Sequence, residues 1–221
     1  TYQELPAVLD KEKANAVAAH YHFAKGNVAA AFAGAAQIVE ETFTTGYQEQ
    51  AYLEPQGMLA CWDAGEEKIT VYGTMQCPYY VHSSLMHALH LDRRHVRVVQ
   101  EVTGGGFGGK EDYPSLLACQ AAAAAKKAGA PERIIHDRRE DMAVTTKRHP
   151  GRIHYAAALD AQHRIIGLKV NICLDAGAFP GISSVVMQRS LLSAAGVYRI
   201  DNLEADGRAV ITNTVPNGAF R

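Results

Sequence analysis

The alternation of apolar and polar positions divides most of the chain into short strands and a few helices. Residues 37–46, "QIVEETFTTG", alternate and are rich in β-branched side chains, which predicts a strand. "GMLACWD" (57–63) and "KITVYGT" (68–74) read as two strands of a hairpin around "AGEE". A helical period follows Pro78 over 79–91, with Val81, Leu85, Ala88 and Leu89 on one face. "HVRVVQEV" (95–102) reads as a strand. The alanine-rich stretch 112–129 reads as a long helix closed by Gly129, with Lys126 and Lys127 favouring its C-terminal dipole. Further strands are expected in "RIIHD" (133–137), in a second hairpin formed by 151–160 and 164–175, and in "ADGRAVITNT" (205–214). Residues 185–196 predict a short helix or an irregular turn. The first thirty residues read as largely loop, with a short helix over 28–36.

Hairpins beside a strand–loop–helix–strand unit predict an α+β fold with mixed sheets and packed helices, not a doubly wound sheet. A weak boundary signal lies at 48–57. Composition narrows the function classes. With 221 residues and 48% apolar content, the chain can bury a real core. A formal charge of -1, from 22 basic and 23 acidic residues, gives no pull toward nucleic acid or an anionic membrane. No apolar run is long enough for a membrane span. The four cysteines, Cys61, Cys77, Cys119 and Cys173, form no Cys-x-x-Cys pair. That argues against a disulfide framework, a zinc knuckle or an iron–sulfur cluster on this chain, and fits a cytoplasmic location. The opening and closing residues read as internal to a longer polypeptide or split enzyme.

The densest chemical signal is "TGGGFGGKE", residues 103–111, with five glycines in nine residues. It satisfies Gly-x-Gly-x-x-Gly, but the acid that a dinucleotide site wants about twenty residues on is missing. Asp137 lies 33 residues beyond Gly104. As a phosphate loop it carries Glu111 where a magnesium-binding hydroxyl belongs, and that carboxylate would repel phosphate. A plain strand-to-helix turn needs fewer glycines, since each one costs backbone entropy. The fourth reading is a backbone pressed against a bulky rigid cofactor, with Phe107 as its one side chain and Glu111 facing a substrate.

"GGGFGGKE" resembles the signature of the large molybdenum subunit of the xanthine dehydrogenase/aldehyde oxidase family, the molybdenum hydroxylases. "YQELPAV", "GYQEQAYLEPQG", "RREDM", "RHPGRIHYAAALD", "NICLDAGAF" and "NTVPNGAFR" continue the likeness in order. The resemblance implies a fragment with residues 1–40 as the tail of a preceding small domain and linker. Residues 41–221 would be the first molybdopterin-binding domain. It implies a molybdenum–molybdopterin cofactor in the complete enzyme, in plain or cytosine-dinucleotide form and not necessarily held by this fragment. No protein ligand to the metal is implied. Gln76 matches the glutamine that bonds a molybdenum oxo group. Phe107, with Gly106 and Gly108, matches the loop approaching the apical oxygen. Glu111 and Arg189 match the substrate-binding pair of the purine-oxidising branch. Arg221, with Ala219 and Phe220, matches an arginine beside the cofactor. The spacings are 35, 78 and 32 residues from Gln76 through Glu111 and Arg189 to Arg221.

The implied reaction is hydroxylation of a purine such as xanthine or hypoxanthine with water as oxygen source. Electrons would leave to iron–sulfur clusters and flavin on partner domains or subunits. An aldehyde or nicotinate-type oxidase of the same family, or a non-catalytic cofactor-binding scaffold, is the alternative. Glu111 can share a hydrogen bond with a ring nitrogen, and the Arg189 guanidinium can hold a carbonyl in a fixed fork. The family's general-base glutamate and most pterin contacts would lie beyond Arg221, in a remaining molybdopterin domain, so the fragment is expected to be inactive alone. Each residue also has an ordinary reading: Gln76 as a polar turn residue, Glu111 as an acid at a helix start, Arg189 as a surface arginine, Arg221 as solvated. Cys77 reads as lining the pocket or as a small buried side chain. His82, His87 and His90 read as helix surface. The run 138–141 reads as a solvated turn, and Glu54 as a structural part of its connection.

Overall fold

The computed structural model describes residues 17–220. Of these, 17–47 with 148–217 form one compact unit, and 48–147 with 218–220 form the other. Residues 40 and 41 fall in the same unit. The chain leaves the first unit near Tyr47, builds the second, and returns at Arg148. The α+β architecture with mixed sheets and packed helices is as expected.

The first unit is a five-stranded sheet in the order β1-β10-β9-β8-β2. Its strands are β1 (Val17–Lys25), β2 (Gln37–Thr45), β8 (Gly151–Leu159), β9 (Ile165–Gly177) and β10 (Leu203–Ile211). Neighbours pair antiparallel except β9 and β10, which are parallel. A parallel pair needs a crossover, and here it contains helix α5 (Ser183–Leu192). Leu168, Val170, Ile172 and Leu174 of β9 pack with Met187 and Leu191 of α5 in the core. Gly207 of β10 leaves room there: a Cβ would meet Leu191 Cδ1 at 2.9 Å. The short helix α1 (Val28–Ala33) brings Ala31 and Phe32 against Gly167 of β9.

β1 corrects the loop-like reading over 17–25, and the part of that reading on residues 1–16 lies outside the described residues. Its apolar positions alternate with His20 and His22, and His20 Nε2 lies 2.7 Å from Asp206 Oδ2 on β10. Ring nitrogens at the polar positions, and alanine at several others, weaken the alternation that marks a strand.

The second unit is a four-stranded sheet, β5-β4-β3-β6, made of β3 (Gly57–Asp63), β4 (Lys68–Gly73), β5 (Val96–Gln100) and β6 (Glu132–Ile135). β3 and β4 are the expected hairpin. Helix α2 (Pro78–Leu89) is the crossover that allows β4 and β5 to run parallel. Helix α3 (Tyr113–Ala128) lies on the same sheet, capped by Asp112 and ended by Gly129 at φ +63°. Met58, Ala60, Ile69 and Val71 meet Leu117, Ala118, Ala121, Ala122 and Ala125 in one core with Val81 and Leu85. The alanines let the helix backbone approach the sheet closely. The two-residue strands β7 (Lys147–Arg148) and β11 (Asn217–Gly218) lie where the chain passes between units.

Helix α4 (Arg138–Val144) replaces the solvated turn expected at 138–141. Asp137 caps it by accepting from Glu140 N at 2.7 Å, and Asp141 is fully buried. The charge run thus conceals a buried carboxylate with fixed partners.

Ala122 has no exposed surface. Ala122→Leu should therefore overpack the α3–sheet contact and lower stability by about 1–3 kcal/mol, read as a fall in the thermal midpoint.

Candidate functional site

The glycine stretch joins β5 to α3 and turns through three left-handed residues. Gly105 has φ +93°, Phe107 +49° and Gly108 +99°. The left-handed conformation at Phe107 is costly for a side chain that size, and surrounding bonds must hold it. Phe107 is 55% exposed.

Every glycine of the loop has a close protein neighbour. A Cβ on Gly104 would meet Glu54 Cβ at 2.6 Å, and one on Gly105 would meet Tyr52 Cβ at 3.2 Å. At Gly106 it would overlap the Gln76 amide, at Gly108 the Ala219 carbonyl at 2.5 Å, and at Gly109 the Tyr52 ring at 2.6 Å. The glycine content is thus explained by packing within the chain. A ligand is not needed to account for it, contrary to the expectation from the sequence.

What the loop leaves open is its N–H groups. Gly104 N donates to Glu54 Oε2 at 2.7 Å, and Gly108 N and Lys110 N donate to Gln76 Oε1 at 2.9 and 3.2 Å. Gly109 N donates to Gly106 O at 2.7 Å. The N–H groups of Gly105, Gly106 and Phe107 take no acceptor among the described residues. Gly106 is itself buried. A buried N–H without a partner is unfavourable, so this segment favours an incoming acceptor.

Gln76 follows β4 and precedes α2. Its N–H donates to Lys110 O at 2.6 Å while its Oε1 accepts from the loop. Two donors at Oε1 fix the amide orientation, and Nε2 remains a donor with no acceptor among the described residues.

Behind the loop lies a polar core. Lys110 is fully buried; its Nζ donates to Glu54 Oε2 at 2.9 Å and Thr74 Oγ1 at 3.0 Å, and sits 4.9 Å from the Tyr52 ring centre. Tyr52 donates to Asp141 Oδ1 at 2.6 Å, and Gln56 donates from Nε2 to Tyr52 Oη and Gly109 O. Gln56 N donates to Asp141 Oδ2 at 2.9 Å. Arg138 Nη2 donates to the Tyr52 and Leu53 carbonyls. Burial alone would raise the Glu54 carboxyl, but bonds from Lys110 and Gly104 hold it below its ordinary value. Burial draws the Lys110 ammonium down, against the pull of Glu54. Burial, then Asp141, pushes the Tyr52 phenol far up, and burial with the Asp141 and Glu140 charges pushes Tyr113 up to about 12.

The structure thus gathers Gln76, Gly106, Phe107, Gly108 and Ala219 around one loop. Gln50 Nε2 holds the Ala219 carbonyl at 2.7 Å, and Phe220 N is the next atom a Gly108 Cβ would meet. Glu111 follows directly and is buried at 9% exposure. Arg189 lies on α5 of the other unit and is exposed. Arg221 lies outside the described residues. Cys77 is half-buried at the N-cap of α2. His87 Nδ1 lies 2.7 Å from Ser83 O within α2. Among the described residues no group of three or more His, Cys, Asp or Glu side chains gathers to hold a metal ion. No helix of the described residues is long and apolar enough to cross a membrane. Sequence reasoning missed Tyr52, Gln56 and Asp141 as supports of the loop. Only the crowding of glycines hinted that bulky neighbours stood around it.

A side-chain-poor loop whose N–H groups at 105–107 take no acceptor among the described residues is thus held from behind by Glu54, Gln56 and Gln76. The chain belongs to the molybdopterin cofactor-binding domain family, whose profile matches residues 9–221. Aldehyde oxidase 3 of Mus musculus is 33% identical over 197 residues, 89% of this chain and 15% of that protein. The nicotinate dehydrogenase large molybdopterin subunit of Eubacterium barkeri is 30% identical over 231 residues, all of this chain and 54% of that one. Xanthine dehydrogenase/oxidase of Felis catus is 34% identical over 227 residues, all of this chain and 17% of that protein. The chain thus spans about half of one relative and about a sixth of the others. Solved oxidoreductase chains superpose with TM-scores of 0.81 to 0.84 at 21 to 24% identity, a likeness of fold alone. These relatives place the chain in the molybdenum hydroxylase superfamily without singling out the xanthine branch.

Gly108→Ala forces a side chain into the Ala219 carbonyl at a left-handed φ. It should lower stability by about 1–3 kcal/mol, measured by urea unfolding. The tyrosines predict an alkaline limit. Their folded pKa values lie above the ordinary 10.0, so their contribution is complete below pH 10 and declines as pH rises through the folded values. Tyr52→Phe should lose about 1–3 kcal/mol at neutral pH and show a shallower alkaline decline in the urea midpoint.

Proposed function

We propose that this chain supplies the loop face of a molybdenum–molybdopterin site within a longer molybdenum hydroxylase. The observation that carries this reading is that the N–H groups of Gly105, Gly106 and Phe107, and Nε2 of Gln76, take no acceptor among the described residues. Oxygen ligands of a metal centre are acceptors, and a set of fixed donors matches them. The residues therefore fit the group. When bound, the cofactor supplies the two-electron chemistry of hydroxylating an electron-poor carbon with oxygen from water. The chain's own part is to hold it: the loop N–H groups and Gln76 Nε2 donate, and Phe107 covers. Ala219 and Phe220 border the loop at its Gly108 side. A remaining molybdopterin domain, with iron–sulfur and FAD domains or subunits, would complete the enzyme.

The substrate we favour is a nitrogen heterocycle, a purine or a nicotinate-type ring. Glu111 would bond a ring nitrogen and Arg189 would offset charge developing on the ring. Likeness to the nicotinate and xanthine enzymes supports this. A second reading, an aldehyde substrate, is favoured by the burial of Glu111 and by the likeness to aldehyde oxidase 3. An aldehyde needs no carboxylate partner.

In the full-length enzyme, Glu111→Gln and Arg189→Met should each slow heterocycle hydroxylation by about 10²-fold or more while molybdenum content stays at the wild-type level. Unchanged heterocycle turnover in both variants, with wild-type aldehyde oxidation faster than heterocycle oxidation, establishes the second reading instead. Loss of molybdenum would assign these residues to the cofactor.

A further inference from the structure

Lys110 stands next to Glu111 in a glycine loop, where a lysine invites the reading of an anion-binding cation. Its geometry excludes that use. The side chain is fully buried, and Nζ is engaged by Glu54 Oε2 at 2.9 Å and Thr74 Oγ1 at 3.0 Å. The same Glu54 oxygen accepts from Gly104 N at 2.7 Å, and Glu54 N donates back to Gly104 O at 3.1 Å. One carboxylate oxygen therefore holds both ends of the seven-residue segment 104–110. Gln76 Oε1 ties its later half through Gly108 N and Lys110 N, and Gln56 Nε2 ties Gly109 O at 2.8 Å. The three N–H groups left without acceptors, at 105–107, lie on the only stretch these residues do not tie down.

We infer that Lys110 and Glu54 are a positioning pair, a clamp that fixes the loop so that its unbonded N–H groups and Gln76 Nε2 converge on the cofactor. The role rests on the cofactor reading above. The surroundings support a pair built to persist. The Lys110 ammonium faces the Tyr52 ring, and its charged neighbours are Glu54, Asp141 and Arg138. Glu54 keeps part of its carboxyl in contact with water, its side chain 39% exposed. It opens onto a cavity of about 520 Å³ lined also by Tyr72, Thr74, Glu101, Arg133 and Ile135. A half-hydrated carboxylate loses less of its own hydration, so the pair as a whole is less costly to bury.

The test uses the full-length holoenzyme with Lys110→Met, Glu54→Gln and the double variant Lys110→Met/Glu54→Gln. Three quantities are read: hydrogen exchange of the peptide spanning 103–111, molybdenum per chain, and kcat and KM per bound molybdenum. Lys110→Met should speed exchange in that peptide at least about tenfold with exchange in β8 and β9 unchanged. Molybdenum content should fall several-fold. In the molecules that retain metal, kcat should fall about tenfold or more with KM within about threefold, since the loop faces the cofactor. The double variant should recover part of the Glu54→Gln loss, because it removes the fully buried ammonium that Glu54→Gln leaves without its counter-ion. Glu54→Gln keeps an acceptor for Gly104 but leaves the buried Lys110 ammonium without its counter-ion, and should also speed exchange in that peptide.

Wild-type exchange at 103–111 in Lys110→Met overturns the clamp, as does a loss spread equally over both units. Faster exchange with unchanged molybdenum content and unchanged kcat per metal also overturns it, because the pair then stabilises the loop without positioning anything. A wild-type protein that carries no molybdenum defeats the functional reading on its own, and the exchange data still decide whether the pair clamps the loop.

Discussion

A single carboxylate oxygen, Glu54 Oε2, bears the ammonium of Lys110 and the N–H of Gly104 together. The second unit is arranged around that convergence. The turn through Gly105, Phe107 and Gly108 can persist in left-handed backbone because both its ends are pinned. Each pinning residue is in turn fixed by an element: Glu54 on the connection before β3, Thr74 and Gln76 after β4, Asp141 on α4. Burying the lysine is unfavourable in isolation. It is tolerated because the ion pair, the threonine hydroxyl and the Tyr52 ring face it at once.

Much of this was legible from residue order. Hairpin β3–β4 followed from two short strands around "AGEE", and α3 from its alanines and Gly129. On α2, Val81, Leu85 and Leu89 pack into the core as their period predicts, while Ala88 is exposed. β1 was not legible, because histidines and alanines blur its period and its partner strand lies far away in sequence. α4 was not legible either: four charged residues in succession ordinarily mean a wet surface, and nothing local tells that Asp141 would be sealed by Tyr52 and Gln56. Both misses have one cause. Long-range partners decided the structure, and local pattern carries no record of them.

The loop itself was half legible. Its glycines correctly announced a close approach, but the approaching groups turned out to be Glu54, Tyr52, Gln76 and Ala219. The resemblance to molybdenum hydroxylases supplied residue roles that no spacing could give, and the family match supports the class. Glu111 and Arg189 fall in different units, and Glu111 is far more enclosed than a residue waiting on open solvent.

The interleaved path of the chain has a consequence for biosynthesis. The sheet of the first unit joins β1 to β10, and His20 meets Asp206 across a separation of 186 residues. The second unit closes most of its contacts within one continuous stretch, so on a ribosome it can condense while β1 still waits for its mate. Yet one neighbour of the loop, the carbonyl of Ala219, is held by Gln50 across a separation of 169 residues and emerges much later. The loop's surroundings are therefore unfinished in a nascent chain until residue 219 has been made.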